Sequence, residues 1–271
     1  MKAGIVMHRS RLLVVSALVM VLASCANLFT GNFFENFDGP PDAADILGQY
    51  TDSDGNVSSA NADAFVSDLL DATDSSRFFE ELSSTDRSSL ADSLNSVYTN
   101  PSVDVDDQTR QQAAILAGEV TLRDTGAGET INKVADVLTS SEGADSFSDP
   151  EALLNQIIPE SAQGDTAAIT QILTDLQSAA KAYTELGGSL SDTDGDGSVD
   201  GPDGANMTEV AQNAAVAMIV DQIASQTSAE TLAGQIVAGT VGSASYTAPV
   251  TNETNLSNIL EAGGLGGLLN G

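Results

Sequence analysis

Five aspartates lie close together in the stretch SDTDGDGSVDGPDG, which covers residues 191–204. They occupy positions 1, 3, 5, 9 and 12 of a twelve-residue loop, and they are Asp192, Asp194, Asp196, Asp200 and Asp203. Alternate residues of a tightly curled loop point inward, and a hard cation such as calcium binds six to eight oxygen ligands. Carboxylates held this close together repel one another unless a cation lies between them. The spacing therefore predicts a calcium site.

Other residues of the loop have roles in this hypothesis. Gly197 at position 6 permits a sharp turn, and the backbone carbonyl of Ser198 is a further candidate ligand. We expect Val199 to pack against the core and Asp200 to bind the ion directly or through water. We expect Asp203 to close the coordination shell from the start of the next helix. Magnesium is a poorer fit, because it keeps several waters and does not gather so many carboxylates.

The aspartate loop resembles the calcium loops of EF-hand and dockerin modules, and it also matches the thrombospondin type 3 pattern DxDxDGxxDxxD. Predicted helices on both sides favour the EF-hand relatives, and the single strong copy disfavours a thrombospondin-like array. Pro202 and Gly204 depart from the EF-hand pattern, since they lie where the outgoing helix of an EF-hand is already running. The resemblance implies a helix–calcium loop–helix unit, but it does not determine how the chain leaves the loop.

A weaker stretch, YTDSDGNVSSAN at residues 50–61, aligns with the aspartate loop. In that alignment Asp52 and Asp54 take positions 3 and 5, and Tyr50 takes position 1, where the first ligand is needed. The candidate ligands of this second loop are Asp52, Asp54, Asn56, Ser58 and Asn61. An ordinary turn rich in aspartate, serine and glycine is the alternative interpretation.

The N-terminus has the layout of an export signal. Three basic residues precede LLVVSALVMVLA, a 12-residue apolar run that is short for a transmembrane helix. The run ends in Leu22-Ala23-Ser24-Cys25, which resembles the lipobox of bacterial lipoproteins. This resemblance implies that the peptide 1–24 is removed and that Cys25 receives a diacylglycerol and an acyl chain such as palmitate.

Two alternatives to the lipobox are an ordinary signal peptide with a nearby cysteine and an uncleaved anchor. Cys25 is the only cysteine, so it has no disulfide partner, which suits a sulfur that carries lipid. Each buried CH₂ of an acyl chain contributes about 0.8 kcal/mol to membrane binding. Ala26 follows the cysteine where an aspartate would indicate inner-membrane retention, so the resemblance favours the outer membrane of a cell that has one.

Removal of the signal leaves a strongly acidic chain. Six of the nine basic residues then face all 39 acidic residues, so the net charge is about −33, that is 6 − 39. We expect such a polyanion to be repelled by nucleic acid. Two explanations stay open: adaptation to salty surroundings, where charge is screened, and attraction of cations or a basic partner.

The mature chain also lacks the residues of most catalytic sites. It contains no histidine, no tryptophan and, with Cys25 lipidated, no thiol. Nucleophilic systems that depend on histidine and zinc sites that depend on histidine are therefore excluded. We predict a protein that is not an enzyme, with a carboxylate-dependent, calcium-supported hydrolase as the alternative. A cavity away from the loop with two carboxylates of raised pKa would favour the hydrolase, and an exposed apolar groove without such a pair would favour binding.

The chain divides into a signal peptide at 1–24, a lipidated tether at 25–41 and an acidic domain at 42–271. Within the domain, apolar residues recur at three- and four-residue intervals, which is typical of helices. The helical segments lie near residues 65–70, 90–98, 107–123, 129–140, 149–159, 165–188, 206–220 and 227–241. The best strand candidate is SYTAPV at 245–250. The sequence predicts an all-α, irregular multi-helix bundle of about eight or nine helices.

Helix ends and buried segments are also predicted. Gly187-Gly188 is expected to end the most regular helix, and Asn206 with Glu209 resembles a capping box. Thr227 is expected to begin the following helix. The run AAVAMIV at 214–220 predicts a helix that is buried on most sides.

These features together predict a lipid-anchored, calcium-binding protein of the cell envelope with a structural or partner-binding role. Its contact with the membrane is through the lipid on Cys25, and its protein partner is unidentified. An ion that binds only the folded state stabilises it, so calcium would fasten two helices together. A calcium sensor, which would open reversibly on binding, is the third possibility.

Overall fold

The computed structural model describes residues 42–73, 76–123, 126–139, 158–193, 195–241 and 253–265. Ten α-helices lie within these ranges: α1 Ala43–Tyr50, α2 Ser59–Thr73, α3 Ser76–Glu81, α4 Ser84–Thr99, α5 Asp107–Leu122, α6 Ala127–Thr139, α7 Thr166–Ser189, α8 Met207–Ala224, α9 Ala229–Ala238 and α10 Glu253–Ala262. These ranges contain no strand, only two isolated bridges. The predicted all-α class is confirmed, with one or two more helices than predicted.

Many acidic and hydroxyl residues serve as helix caps. Their side chains accept a hydrogen bond from a backbone N–H group in the first helical turn, which would otherwise have no partner. The caps of α1, α4, α5, α7 and α9 are Asp42, Ser83, Asp106, Asp165 and Ser228. Part of the acidic composition therefore has a local structural role.

Helix α7 is the centre of the fold, and it packs against α5, α8, α9 and α10. Its apolar stripe is buried as predicted, with Leu176 and Tyr183 fully enclosed. Helix α8 is buried on several sides, and Ala214, Ala217 and Met218 of its apolar run all lie in the core. The prediction of a mostly enclosed helix at 214–220 is confirmed for the side chains that the structure describes.

The predicted end of α7 is wrong. The helix continues through Gly187 and Gly188 to Ser189 and is capped by Leu190. A Cβ atom on Gly187 would lie 2.3 Å from the backbone oxygen of Asn255 in α10. The glycine is therefore required by the close approach of another backbone, and it does not mark the end of the helix.

One further helix start and one capping residue differ from the prediction. Helix α9 begins one residue later than expected, because Ser228, not Thr227, accepts the hydrogen bond from the N–H group of Thr231 at 3.1 Å. At α8, Asn206 is the cap, but the side chain of Glu209 lines a cavity. The predicted helix at 149–159, strand at 245–250 and tether at 25–41 lie mainly or wholly outside the described residues.

None of the helices in the described part of the chain is long and apolar enough to cross a membrane.

Candidate metal centre and a buried carboxylate pair

The aspartate loop connects α7 to α8, as the predicted helix–loop–helix unit requires. An isolated antiparallel bridge joins Ser191 to Asp200, with the N–H group of Asp200 donating to the carbonyl of Ser191 at 3.0 Å. The bridge closes the base of the loop by joining the residue before position 1 to position 9. The residues between them are almost all exposed to solvent.

The loop curls around the carboxylate of Asp192. One oxygen of that carboxylate accepts the N–H group of Gly195 at 2.7 Å, and the other accepts the N–H group of Gly197 at 2.9 Å. Both glycines have positive φ angles, 79° and 92°, which side-chain-bearing residues rarely adopt. The expectation that Gly197 permits the turn is confirmed, and Gly195 contributes a second turn.

Two further aspartates are held by backbone groups of the same loop. An oxygen of Asp196 accepts the N–H group of Ser198 at 2.8 Å, and an oxygen of Asp200 accepts the N–H group of Thr193 at 2.8 Å. A carboxylate can accept about four hydrogen bonds, so one backbone donor does not use its full accepting capacity. The expected packing of Val199 against the core is confirmed.

The exit of the loop differs from an EF-hand. Asp203 was expected at the start of the outgoing helix, but α8 begins only at Met207. Gly204 takes a positive φ of 81° between them, so the chain turns once more before the helix starts. Asp203 is exposed, and its backbone carbonyl accepts the side-chain amide of Gln112 at 3.3 Å. The departures at 202 and 204 thus delay the helix by about one turn.

Among the residues that the structure describes, no group of three or more acidic, histidine or cysteine side chains could hold a metal ion. Asp194, which takes the central position of the predicted ligand set, lies outside the described residues. The calcium site of Asp192, Asp194, Asp196, Ser198, Asp200 and Asp203 therefore stays a prediction.

The second loop has a related design. A bridge joins Thr51 to Val57, and one oxygen of Asp52 accepts the N–H groups of Asp54 and Asn56, both at 2.9 Å. These donors lower the pKa of the Asp52 carboxyl. Asp52 directly follows its bridge, as Asp192 does, but this bridge encloses residues 52–56 and the other encloses residues 192–199. The two loops therefore differ in length, and the second set of metal ligands stays a prediction.

Hydrogen bonds and a ring contact connect the second loop to the surrounding helices. Tyr50 lies in α1, its hydroxyl donates to Asp68, and its ring packs on Phe65. The side-chain amide of Asn61 donates to the carbonyl of Tyr50 at 3.2 Å. On the other side, Ser93 of α4 donates to the carbonyl of Gly55 at 2.9 Å. Several polar groups of this loop therefore already have hydrogen-bond partners within the protein.

A cavity of about 360 Å³ lies beside the exit of the aspartate loop. Its walls come from the end of α2, from α5, from residues 203–206 and from the first turn of α8. Glu119 and Glu209 both line it, and Arg123 lines it one helical turn after Glu119. Glu209 is buried, and Glu119 keeps some exposure to solvent.

Burial raises the pKa of Glu209 to about 7, and the charge of Glu119 adds to the rise. Burial also raises the pKa of Glu119. The guanidinium of Arg123 opposes both shifts without cancelling them. The two side chains therefore form a carboxylate pair that holds protons more tightly than ordinary glutamates do.

Sequence reasoning missed this pair. The two glutamates are far apart in the chain, and Glu209 has the spacing of a capping-box residue. The available signal was the position of Glu119 inside ILAGEVTL, where a single acid interrupts a buried segment of α5.

Comparisons with protein-family models, with curated proteins and with solved structures find no match to this chain.

Proposed function

We propose that this protein is a lipid-anchored, calcium-binding protein of the cell envelope with a structural or partner-binding role. The observation that carries the calcium part is the loop between α7 and α8, which closes at Ser191 and Asp200 and curls around Asp192. A loop of this form holds its carboxylates on a short arc, where a hard cation binds them best. Calcium would then stabilise the join between the central helix and the enclosed helix.

The lipid anchor is supported by the lipobox residues 22–25 and by the single cysteine. The outer membrane is the favoured location in a cell that has two membranes. Among the residues that the structure describes, Val237 is the one large apolar side chain that is exposed to solvent. A protein partner would therefore meet a mainly acidic surface, which favours recognition through charge.

The first test is calcium titration of the full chain, purified in detergent, by calorimetry. One ion per chain, with heat that disappears in Asp192→Ala and Asp194→Ala, is the expected result. Two ions per chain would add a site at the second loop, and Asp52→Ala would then remove one of them. A flat titration at millimolar calcium would refute the calcium part of the proposal.

The second test addresses the anchor alone. The chain is produced in a bacterial host that is fed an alkyne-tagged palmitate, and the tag is detected on the purified protein. We expect labelling and membrane association of the unchanged chain, and loss of both in Cys25→Ser. Labelling that persists in Cys25→Ser would contradict the anchor and leave the calcium result untouched.

A carboxylate-dependent hydrolase is the second candidate, and one observation favours it. Glu119 and Glu209 share a cavity, and both have raised pKa values, which is how acid–base carboxylates are prepared for catalysis. Against it, the cavity borders the loop exit instead of lying apart from it. Turnover of chromogenic glycosides or esters that both Glu119→Gln and Glu209→Gln abolish would establish the enzyme in place of the binding role.

A further inference from the structure

The cavity beside the loop exit combines an enclosed charge with an apolar wall. Glu119 and Glu209 lie inside it, while Leu70, Leu116 and Val210 supply apolar surface. A volume of about 360 Å³ falls at the lower end of the range for small-molecule sites. The space is therefore suited to a compact ligand with a short apolar body.

The charges around the cavity are mainly negative. Asp71 and Asp203 are exposed residues of its lining, and the two glutamates lie further in. Arg123 is the cation of the lining, and its guanidinium carbon lies 4.4 Å from the ring centre of Phe79, over the face of the ring. Exposed acids in front of enclosed acids attract a cation toward the interior.

We propose that this cavity binds a small organic cation, an ammonium or guanidinium group on a short apolar body, whose charge is received by Glu119 and Glu209. The ligand's apolar part lies against the side chains of Leu70, Leu116 and Val210. Binding such a cation counters the charge of Glu119 that helps to raise the pKa of Glu209.

A metal ion fits this cavity less well than an organic cation. The described residues contain no group of three or more ligating side chains that could hold a metal, and the pair at Glu119 and Glu209 is no exception. An anion would have to approach four carboxylates in order to reach Arg123 and the first turn of α8. The charge balance therefore selects a cation, and the apolar wall selects an organic one.

The test uses n-butylammonium as the probe and butanoate as its anionic counterpart of the same chain length. The ¹⁵N-labelled full chain in detergent is titrated with each at pH 8 and constant ionic strength. We expect saturable shifts of the backbone amide signals of Ala205, Asn206 and Val210 with n-butylammonium, and none with butanoate. Saturation by butanoate, or shifts that rise linearly over the whole acidic surface, would overturn the proposal.

Variants assign the binding to the pair. Glu119→Gln and Glu209→Gln keep the shape of the side chain, and each is expected to weaken n-butylammonium binding at least tenfold. The matched control is Glu230→Gln, which also removes a glutamate from the first turn of a helix but at an exposed site. Leu70→Phe narrows the cavity without changing its charge and should weaken binding as well. Unchanged affinity in all three cavity variants would refute the site.

The pH dependence provides a further check. The titratable and charged groups around Glu209 are Glu119 on α5, Arg123 at the C-cap of α5, Tyr183 on α7, Asp71 near the end of α2 and Asp203 in the loop exit. Burial holds the pKa of Tyr183 well above its ordinary value, so it stays neutral near pH 7. Affinity for n-butylammonium should rise from pH 5.5 to pH 8 as Glu209 ionises, and an affinity that stays flat or falls over this range would contradict the proposal.

Separate variants distinguish this proposal from the calcium site. Glu209→Gln removes a group of the cavity and leaves every predicted ligand of the aspartate loop in place. If the chain binds calcium but not n-butylammonium, the proposed function stands and this inference is refuted. If it binds n-butylammonium but not calcium, this inference stands and the calcium part of the proposed function is refuted.

Discussion

The aspartate loop and the cavity hold the same chemical group in two different surroundings. In the loop, the carboxylates of Asp192 and Asp196 are exposed, and each accepts backbone N–H groups from neighbouring residues. In the cavity, Glu119 and Glu209 are shielded by protein atoms, and burial raises the pKa of both. An exposed carboxylate with backbone donors is within reach of an ion from solvent, whereas the shielded pair holds protons more tightly than ordinary glutamates do.

This difference teaches where the protein's excess charge matters. Water and salt screen most of the acidic surface, so a surface carboxylate contributes little on its own. A cluster becomes significant when the backbone fixes it in one arc or when burial prevents screening. The loop meets the first condition and the cavity meets the second.

The largest effect is expected in the loop. If calcium binds with a Kd of about 10⁻⁴ M, 10 mM calcium stabilises the fold by about 2.7 kcal/mol. That corresponds to a rise in Tm of roughly 5–10 °C for a chain of this size. Asp192→Asn should abolish the rise, because it removes a charge at the first ligand position. The measurement is thermal melting with and without calcium at matched ionic strength.

Glu230→Gln is the control for this experiment, since Glu230 is an exposed acid on α9, outside both loops. It should keep the full calcium-dependent rise. A rise of equal size in Asp192→Asn would mean that calcium acts through general screening and not through the loop.

The next effect concerns the cavity and pH. The pKa of Glu209 in the folded protein is about 7, well above its ordinary value, so the folded state binds more protons than the unfolded state between about pH 4.5 and 7. The free energy of unfolding should therefore fall as pH rises through this window and stay lower above it. With a discount for solvent in the cavity, the loss attributable to Glu209 is about 2 kcal/mol.

Glu209→Gln cannot ionise, so its stability should depend less on pH, and at pH 8 it should exceed that of the unchanged protein. Urea unfolding at pH 5 and pH 8 measures the difference. Glu230→Gln should follow the unchanged protein at both values. Parallel pH profiles for Glu209→Gln and the unchanged protein would show that burial does not perturb this carboxyl.

The smallest effect lies at the join between the two regions. The side-chain amide of Gln112 donates to the carbonyl of Asp203 at 3.3 Å, which connects α5 to the loop exit. Gln112→Ala should cost about 0.5 kcal/mol of stability, since a long, partly solvated hydrogen bond is weak. Gln108→Ala, an exposed position one turn earlier on the same helix, should cost less. Equal costs in the two variants, measured by urea unfolding, would show that the bond to Asp203 contributes nothing.

The fold class and the curl of the aspartate loop could be predicted from the sequence. Helical periodicity and capping residues such as Asp165 are local signals, and so is the pattern of aspartate and glycine around Gly197. These features depend on neighbours within a few residues, and for that reason a single sequence is enough to find them.

The features that the sequence did not disclose depend on contacts between distant segments. Gly187 has the pattern of a helix end, yet it lies in a helix because Asn255 crosses it. Glu209 has the pattern of a cap, yet it lines a cavity with Glu119 from another helix. No local periodicity carries information of this kind.

The four residues from Asp203 to Asn206 connect the aspartate loop to α8, and they also form one wall of the cavity. A segment this short cannot take one conformation for the loop and another for the cavity. If calcium fixes this segment and so changes the affinity for the organic cation, the cation must change the affinity for calcium by the same factor. The loop exit would then couple the binding of the ion to the binding of the ligand. Gln112, which donates to Asp203, connects the loop exit to α5, the helix that carries Glu119.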